Sequence, residues 1–471
     1  MPAALLIDFG STYTKLRAVD LDACRLLAVA QGPSTVSTNI AIGLDIALAA
    51  LQRKVGRLPA FKHRLASSSA AGGLKMVTIG LVKELTAEAA RRAALGAGAK
   101  LVGTFAYRLT ANDVRAIESL KPDILLLAGG TDGGNSEVVQ HNSERLAGSP
   151  LACPVVVACN RDIAEEVAAV LRAAGKTAIR TENVMPEFGH LNIDPARAAI
   201  REVFIDRIVH AKGIDRAAER FDAVLMPTPA AVMEGARLLS EGTSRRAGLG
   251  DLVVVDIGGA TTDVHSVGAG TPMRDGVVQY GLPEPFVKRT VEGDLGMRHN
   301  ARTIAETDGF SAFAERLGLS EARLSAKLDE IAADVARLPA NAEDEALDEA
   351  LAWTAVRIAV ARHAGTTEIV QTVHGPVTVQ RGKDLTGVKC VIGTGGPLAQ
   401  DATPTSVLKA ALADASDPFS LRPSHPALLV DANYMLYASG LLSVVDREAA
   451  LALALASLRP LEERDAHEHR S

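Results

Sequence analysis

Apolar residues open this chain as short runs cut by turns. Ala3–Phe9 is apolar except for Asp8 and stops at Gly10; Lys15–Val19 and Leu26–Ala30 follow after short polar breaks. Runs of this length bounded by glycine and polar residues are strand signals, and three in close succession predict an antiparallel meander. Asn39–Leu51 then carries apolar residues at helical spacing. From about residue 100 to 185 the pattern changes. Ile124–Ala128, Pro154–Ala158 and a segment near Thr177–Thr181 read as strands, with a helix at Arg161–Ala174 and a loop Gly129-Gly130-Thr131-Asp132-Gly133-Gly134. Strand–helix alternation of this kind builds a parallel sheet. Residues 195–220 read as a charged helix.

The opening pattern then returns. A loop rich in Gly, Ser and Arg, Glu241–Gly250, predicts a domain boundary. Beyond it Leu252–Ile257, Val264–Val267 and a strand near Val277–Tyr280 repeat the meander. Residues 311–364 read as helical, and Pro376–Gln380 and Val388–Ile392 as a strand pair around a charged turn. Ala427–Val445 is the most membrane-like run. Asp431 and Asn433 interrupt it, and an aspartate at mid-bilayer costs about 2.5 kcal/mol or more, so it reads as a buried helix. The expected division is a first lobe at 1–245 with an α/β insert at about 100–185, a second lobe at 246–460, and a charged tail at 461–471.

Composition narrows the class. In 471 residues, 48% hydrophobic and 23% charged positions allow full cores and exclude a disordered or collagenous chain. Fifty Lys and Arg against 56 Asp and Glu leave a net charge of −6, which gives no general attraction to nucleic acid or anionic membranes. Cys24, Cys153, Cys159 and Cys390 form no metal-binding spacing and read as buried thiols of a reducing cytoplasm. The N-terminus meets Asp8 at once and reads as a strand, not a signal peptide.

The chemistry lies in a motif used twice. Leu5-Leu6-Ile7-Asp8-Phe9-Gly10-Ser11-Thr12-Tyr13-Thr14-Lys15 and Val253-Val254-Val255-Asp256-Ile257-Gly258-Gly259-Ala260-Thr261-Thr262-Asp263 share an apolar strand, a terminal aspartate and a glycine two residues later. Small or hydroxyl residues and a return strand come next. Glycine lets the turn approach an anion, and successive N–H groups there form a concavity for phosphate oxygens. Ser11, Thr12, Thr261 and Thr262 add hydroxyl donors. A carboxylate repels phosphate, so Asp8 and Asp256 require a cation between them and it; hydrated Mg²⁺, which takes one or two carboxylates plus phosphate oxygens, suits. Val391-Ile392-Gly393-Thr394-Gly395-Gly396-Pro397 adds a third glycine turn after a buried strand. P-loop, G-x-G-x-x-G, G-x-S-x-G and H-E-x-x-H patterns are absent.

These three elements, in this order, resemble the phosphate-1, phosphate-2 and adenosine motifs of the actin, hexokinase and seventy-kilodalton chaperone superfamily. The resemblance implies an α/β fold of two lobes, duplicated RNase-H-like mixed sheets with helices, one per lobe, with ATP in the cleft between them. It implies Asp8 and Asp256 as catalytic, metal-associated carboxylates. Gly10, Ser11, Thr12 and Lys15 map to the first phosphate loop; Gly258, Gly259, Ala260, Thr261 and Thr262 to the second; Gly393, Thr394, Gly395 and Gly396 to the adenosine loop. The helix Asp431–Leu442, with Ala438, Ser439 and Gly440, looks like a hinge-type connection. Together with Leu126–Asn135 and His374-Gly375, the motifs are similar to the glutamate mutase-associated MutL (GlmL) family over most of the chain.

That similarity implies a cytoplasmic, ATP-dependent reactivating factor, which hydrolyses ATP to ADP with Mg²⁺ and releases damaged cofactor from an adenosylcobalamin-dependent mutase. The implied partners are the mutase subunits, with no nucleic acid and no membrane. The β-α-β-α-β pattern at 100–185 and its glycine loop suggest a surface for this client; an enlarged first lobe with a purely structural glycine turn is the favoured reading. A small-molecule kinase on the same fold needs a carboxylate base beside an acceptor hydroxyl, and none stands out beyond Asp8 and Asp256. A radical-dehydratase activator needs paired exposed cysteines, which are missing. A filament protein is the fourth reading. Lys15 either reaches phosphate or points along the strand exterior. Asp263 orients the second loop or a water, His265 reads as surface or cleft wall, and Trp353 as core. Asp465-Ala466-His467 reads as tail.

Overall fold

The computed structural model describes residues 2–10, 13–35, 39–68, 74–211, 221–335, 337–400 and 404–461. The expectations for Ser11, Thr12, residues 212–220 and the tail from 462 lie outside the described residues.

The predicted meander forms. Strands β1 (Ala3–Phe9), β2 (Tyr13–Asp20) and β3 (Arg25–Pro33) pair antiparallel, and β4 (Phe61–Ser68) joins β1 in parallel. The intervening helix Ile40–Val55 is capped by Asn39, whose side chain accepts the Ala41 N–H, and it buries Leu44, Ala47 and Leu51. The chain then builds a separate sheet from β5 (Lys75–Gly80), β6 (Lys100–Ala106), β7 (Ile124–Gly129), β8 (Val155–Cys159) and β9 (Ala178–Arg180). All of its strands are parallel, in the order β6-β5-β7-β8-β9. The chain returns as β10 (Ala223–Pro227), parallel to β4, which closes the first sheet as β10-β4-β1-β2-β3.

The second half repeats this plan with a changed member. β11 (Leu252–Ile257) and β12 (Thr262–Val267) form the hairpin. The expected third strand, β13 (Val277–Tyr280), instead leaves the sheet, and β14 (Val287–Glu292) takes the place beside β12. Hydropathy hides β14 because its central Arg289 and Thr290 are buried and satisfied by Asp263 and His363. β13 joins a three-stranded sheet with β15 (Thr366–Thr372) and β16 (Gly375–Arg381), in the order β13-β16-β15. The expected pairing of Pro376–Gln380 with Val388–Ile392 therefore does not form. The latter segment lies in β17 (Cys390–Thr394), which is buried throughout and fits only between two strands of the main sheet, β11 and β18 (Ala427–Asp431). The helix expected over Ala427–Val445 is likewise corrected: β18 ends at Asp431 and a short helix, Leu436–Leu442, comes after it. A last strand, β19 (Leu458–Pro460), completes the order β14-β12-β11-β17-β18-β19.

Both main sheets thus contain an antiparallel meander and two parallel strands on the far side of the first strand, and the second adds β19 antiparallel to β18. This is the duplicated RNase-H-like arrangement of the two-lobed actin-like class. Contacts divide the chain into two units, Met1–Gly235 with Gly281–Pro285 and Tyr437–Leu453, and Ala236–Tyr280 with Phe286–Leu436 and Ala454–Ser471. The first unit is built around Leu5, Ile7 and Phe9, and the second around Val253, Val255 and Ile257 with the helix Ala342–His363. Trp353 sits half-buried against the second core, with the Arg316 and Arg357 guanidinium groups each 5.5 Å from its ring. Cys153, Cys159 and Cys390 are buried as expected, but Cys24 is partly exposed. Burial pushes the Cys159 and Cys390 thiols up to about 12, which keeps them as unreactive thiols. No helix among the described residues is long and apolar enough to cross a membrane.

His265 departs furthest from expectation. Its place on β12 suggests surface, yet it is wholly buried, and neither ring nitrogen has a hydrogen-bond partner among the described residues. On the opposite side of β12, His363 is also buried, with Nδ1 2.8 Å from Thr290 Oγ1 and Nε2 2.8 Å from Ser266 Oγ. Burial holds both histidines well below the usual imidazole range, helped by Arg289 at His265 and by Lys288 and Lys383 at His363. A base depressed in the folded state and ordinary in the unfolded state gives stability that is present above about pH 6.5 and lost as pH falls toward the folded value. Unfolding free energy should therefore drop below about pH 6.5, by up to about 1.4 kcal/mol per pH unit for each histidine. Urea titrations between pH 7.5 and 5 test this. A flat profile, or one unchanged in a folded His265→Leu chain, contradicts it.

Candidate phosphate-binding turns

The two motif turns have the same backbone construction. Gly10 donates its N–H to the Tyr13 carbonyl at 3.1 Å, and Gly258 to the Thr261 carbonyl at 2.9 Å. A Cβ on Gly10 would stand 2.6 Å from the Tyr13 oxygen, so only glycine fits. In each hairpin the aspartate faces, across the strand pair, the residue seven positions later: Asp8 pairs with Lys15 and Asp256 with Asp263.

Strand register assembles the first half-site. Asp8 lies beside Ser67 on β4, and Ser67 beside Met226 on β10, whose end leads into Thr228. Thr228 Oγ1 donates to Asp8 Oδ1 at 2.6 Å, and Ser67 Oγ approaches the same oxygen at 3.4 Å. Lys15 Nζ lies 3.8 Å from Asp8 Oδ2. The lysine side chain thus turns toward the aspartate at the turn. Asp8 itself is 1% exposed, so its position is fixed by these neighbours and not by solvent. Ser67 and Thr228 carry no motif signal in the sequence. Only the parallel alignment of three strand ends brings them to Asp8.

At the second turn the polarity of the backbone is explicit. Met297 N–H donates to the Gly258 carbonyl, and Arg298 and His299 N–H both donate to the Gly259 carbonyl, at 2.9–3.1 Å. Asn300 Nδ2 reaches the Ala260 carbonyl at 3.3 Å. The turn's oxygens are thereby drawn to one side, while the N–H groups of Gly259, Ala260 and Thr261 take no backbone partner among the described residues. Gly259 and Ala260 are exposed. Successive amides without a backbone partner on an exposed turn are the kind of groups that can receive an anion. Gly296 permits the approach, because a Cβ there would lie 2.2 Å from the Ala260 carbonyl carbon. Arg298 anchors the supporting segment through a two-pronged pair with Asp348, one arm at 2.7 Å. Thr262 does not face the turn's mouth: its hydroxyl donates to the Leu295 carbonyl at 2.7 Å.

The third glycine element joins the second turn through the sheet. Thr394 on β17 lies in register with Asp256 on β11. Gly395 comes next with φ +96°, and a Cβ there would stand 2.2 Å from the Ile257 carbonyl oxygen and 2.9 Å from Asp256 Oδ1. Gly395 is thus the close-approach residue. Gly393 is glycine for another reason, since its Cβ space is filled by Leu398 and Leu408 of the core. Gly396 is open on its Cβ side. The Thr394 hydroxyl donates to Asp431 Oδ2 at 3.3 Å, and Asp431 also accepts the Met435 and Leu436 N–H groups and the Ser457 hydroxyl. Asp431 is therefore a fully engaged buried carboxylate that joins Thr394 to the segment Met435–Leu436 and to Ser457.

Asp263 is engaged too. Arg289 Nε and Nη2 hold its Oδ1 at 3.1 and 2.7 Å, and Thr261 Oγ1 donates to Oδ2 at 3.1 Å. The pair is nearly buried. Asp263 thereby orients Thr261 in the turn, one of the two roles expected of it. Among the described residues no group of three or more His, Cys, Asp or Glu side chains is arranged to hold a metal ion. The donors at hand, one motif carboxylate per turn with hydroxyl neighbours, are hard oxygens. They suit hydrated Mg²⁺, which needs one or two carboxylates, better than a softer metal held by a full protein cage.

The loop Gly129–Gly134, by contrast, is closed on itself. Asn160 accepts the Gly133 N–H and donates to the Gly134 carbonyl, and Asn183 donates to the Gly130 carbonyl and to Asp132. Its geometry is that of a structural turn at the end of β7.

Comparison with known proteins places this arrangement. The family model described as "MutL protein" matches residues 4–458. The chain belongs to the MutL protein family. It is 47% identical over 444 residues to Protein MutL of Clostridium tetanomorphum, covering 94% of this chain and 96% of that one. Among solved structures, nucleotide-free acetone carboxylase aligns over 93% of this chain and 70% of its own at 14% identity, with a TM-score of 0.42. Glycerol dehydratase reactivase aligns over 94% and 99% at 11% identity, with a TM-score of 0.33. Likenesses this distant decide nothing about chemistry.

Two substitutions probe the second turn. Arg289→Met leaves Asp263 buried without its cation and should cost about 3 kcal/mol of unfolding free energy in a urea titration; Arg289→Met with Asp263→Asn should recover part of it. Gly296→Ala forces a methyl group against the Ala260 carbonyl and should cost about 1–3 kcal/mol. A Gly296→Ala chain as stable as the parent would show that the support segment does not fix the turn.

Proposed function

We propose that this chain is a Mg²⁺-dependent ATPase that serves as an accessory, reactivating factor for an adenosylcobalamin-dependent mutase. The observation that carries the ATPase part is the duplicated turn: a strand-end aspartate, a glycine that closes the turn, and, at the second copy, amides directed outward with every turn carbonyl tied behind. Membership of the MutL family supports the accessory role, and the glutamate mutase association of that family supports a mutase client.

On this reading each turn holds phosphate oxygens of a nucleotide. The amides of Gly259, Ala260 and Thr261 hold phosphate oxygens, with the Gly10 turn and its Ser11 and Thr12 doing the same from the first motif. The strand-end carboxylate of each turn, Asp8 or Asp256, would meet Mg²⁺ through its water shell. When bound, the ion supplies charge neutralisation of the phosphates and fixes their orientation. Thr228 and Ser67 keep Asp8 in one rotamer, and Lys15 offers a positive charge at the first turn. Gly396, open on its Cβ side, lines the adenosine side, with Gly395 holding that loop against Asp256 and Gly393 and Thr394 packed behind it. A kinase of this fold needs an unengaged carboxylate to take a proton from an acceptor hydroxyl. Asp263 is clamped by Arg289 and Thr261, and Asp431 is fully engaged, which disfavours that reading.

Calorimetry and a cofactor-release assay test the two parts separately. Asp8→Asn and Asp256→Asn should each weaken Mg²⁺-ATP uptake by roughly tenfold or more while the fold persists, the loss expected for one charged contact. Thr228→Val should weaken it by a smaller factor. With an inactivated mutase, cobalamin release should require Mg²⁺-ATP and the unmodified chain. Release that proceeds without ATP, or ADP formation stimulated by a sugar or short acid, would refute the accessory role and favour a kinase.

A further inference from the structure

We propose that β15 is a self-pairing edge, through which two copies of this chain join by antiparallel pairing of Glu368–Thr372 around Val370. The three-stranded sheet β13-β16-β15 ends at β15. Among the described residues only the start of that outer edge is covered: the Thr367 N–H donates to the Phe419 carbonyl at 2.8 Å, and Thr366 bridges Ser420. Since Thr367 directs its N–H away from β16, the strand period of two directs the backbone groups of Ile369 and Gln371 outward as well. Beyond Thr367 no strand among the described residues takes them.

Exposed edges are ordinarily blunted by lysine, proline, a bulge or an inward charge. This one has none of those. Its pairing with β16 runs from Thr366 to Thr372 without a register shift. Its one charge, Glu368, already accepts Arg381 Nε at 2.8 Å, and that guanidinium lies 4.1 Å from the centre of the Tyr280 ring. Apolar side chains stand in water on both faces. Ile369 is 61% exposed on one; on the other, Val370 at 38% lies beside Val377, with Val278 and Tyr280 exposed further across the sheet.

The occupant is a second copy because the segment is its own complement. With a two-fold axis at Val370, Ile369 of each chain meets Gln371 of the other, so both outward-facing residues exchange N–H···O bonds. Val370 then meets Val370 in a non-hydrogen-bonded pair, and Glu368 meets Thr372 instead of another carboxylate. The β15 edges disappear into one continuous sheet. Self-pairing at β15 is independent of the nucleotide site.

Sedimentation equilibrium of the full chain should show a monomer–dimer equilibrium. Val370→Lys, which sets two ammonium groups face to face, should weaken it roughly tenfold or more while leaving the melting temperature unchanged. Val370→Cys should oxidise to a disulfide-linked dimer, because Cα atoms of such a pair lie about 4.5 Å apart, within disulfide range. Ile369→Cys, which faces Gln371, should cross-link far more slowly. The unmodified chain controls for Cys24. If Val370→Lys fails to fold, the cysteine pair decides. A chain that stays monomeric to about 100 μM, a dimer indifferent to Val370→Lys, or equal cross-linking at 369 and 370 overturns the proposal. So does capture of the edge by a foreign strand only.

Discussion

A backbone turn can receive an anion only if its carbonyl oxygens are held elsewhere. Each peptide unit presents an acceptor as well as a donor, and an untied carbonyl repels phosphate as strongly as its neighbour's N–H attracts it. In the second unit that constraint is met by a dedicated segment. Residues 296–300 give three N–H groups and one amide to the turn's oxygens. Gly296 allows the contact, and the Arg298–Asp348 pair fixes the segment to the long helix of the core. The glycines of the motif are necessary for the turn. The support behind them gives it a direction.

The two halves answer the same problem with opposite charges. Where the first hairpin has Lys15 facing Asp8, the second has Asp263 facing Asp256. Two adjacent carboxylates are costly unless one is neutralised, and Arg289 from the neighbouring strand does so in two-pronged fashion. That requirement also explains a buried arginine in the middle of β14. The same economy of strand ends recurs in both sheets. A neighbour on the adjacent parallel strand, Ser67 in one and Thr394 in the other, carries a hydroxyl. The next strand's end supplies the group that completes the local network, Thr228 or Asp431.

Much of this is legible in the chain itself. The strands bearing the motifs, their glycine turns and the parallel insert appear as short apolar runs with punctuation, because strands buried on both faces leave that pattern. Strands that bury charge do not. β14 escapes notice since Arg289 looks polar until Asp263 is beside it, and β13 takes its place in the expectation because its valines look buried while lying on an open sheet. The stretch from Ala427 reads as one helix because Asp431 looks like an interruption, when it is the residue that ends β18 and accepts the first N–H groups of the Leu436–Leu442 helix. Polarity places His265 at the surface, and it lies in the interior.

The order of residues determined which peptide units can turn tightly, where a carboxylate follows an apolar run, and that the chain carries two copies of one hairpin. Those are properties of neighbours a few bonds apart, governed by φ, by side-chain size and by period. Which hydroxyls hold Asp8, which cation quiets Asp263, which amides face outward and which edge stays open were decided only by strand register. Such partners are separated by tens to hundreds of residues, and no local rule connects Thr228 with Asp8 or Arg298 with Gly259 until the sheets align them.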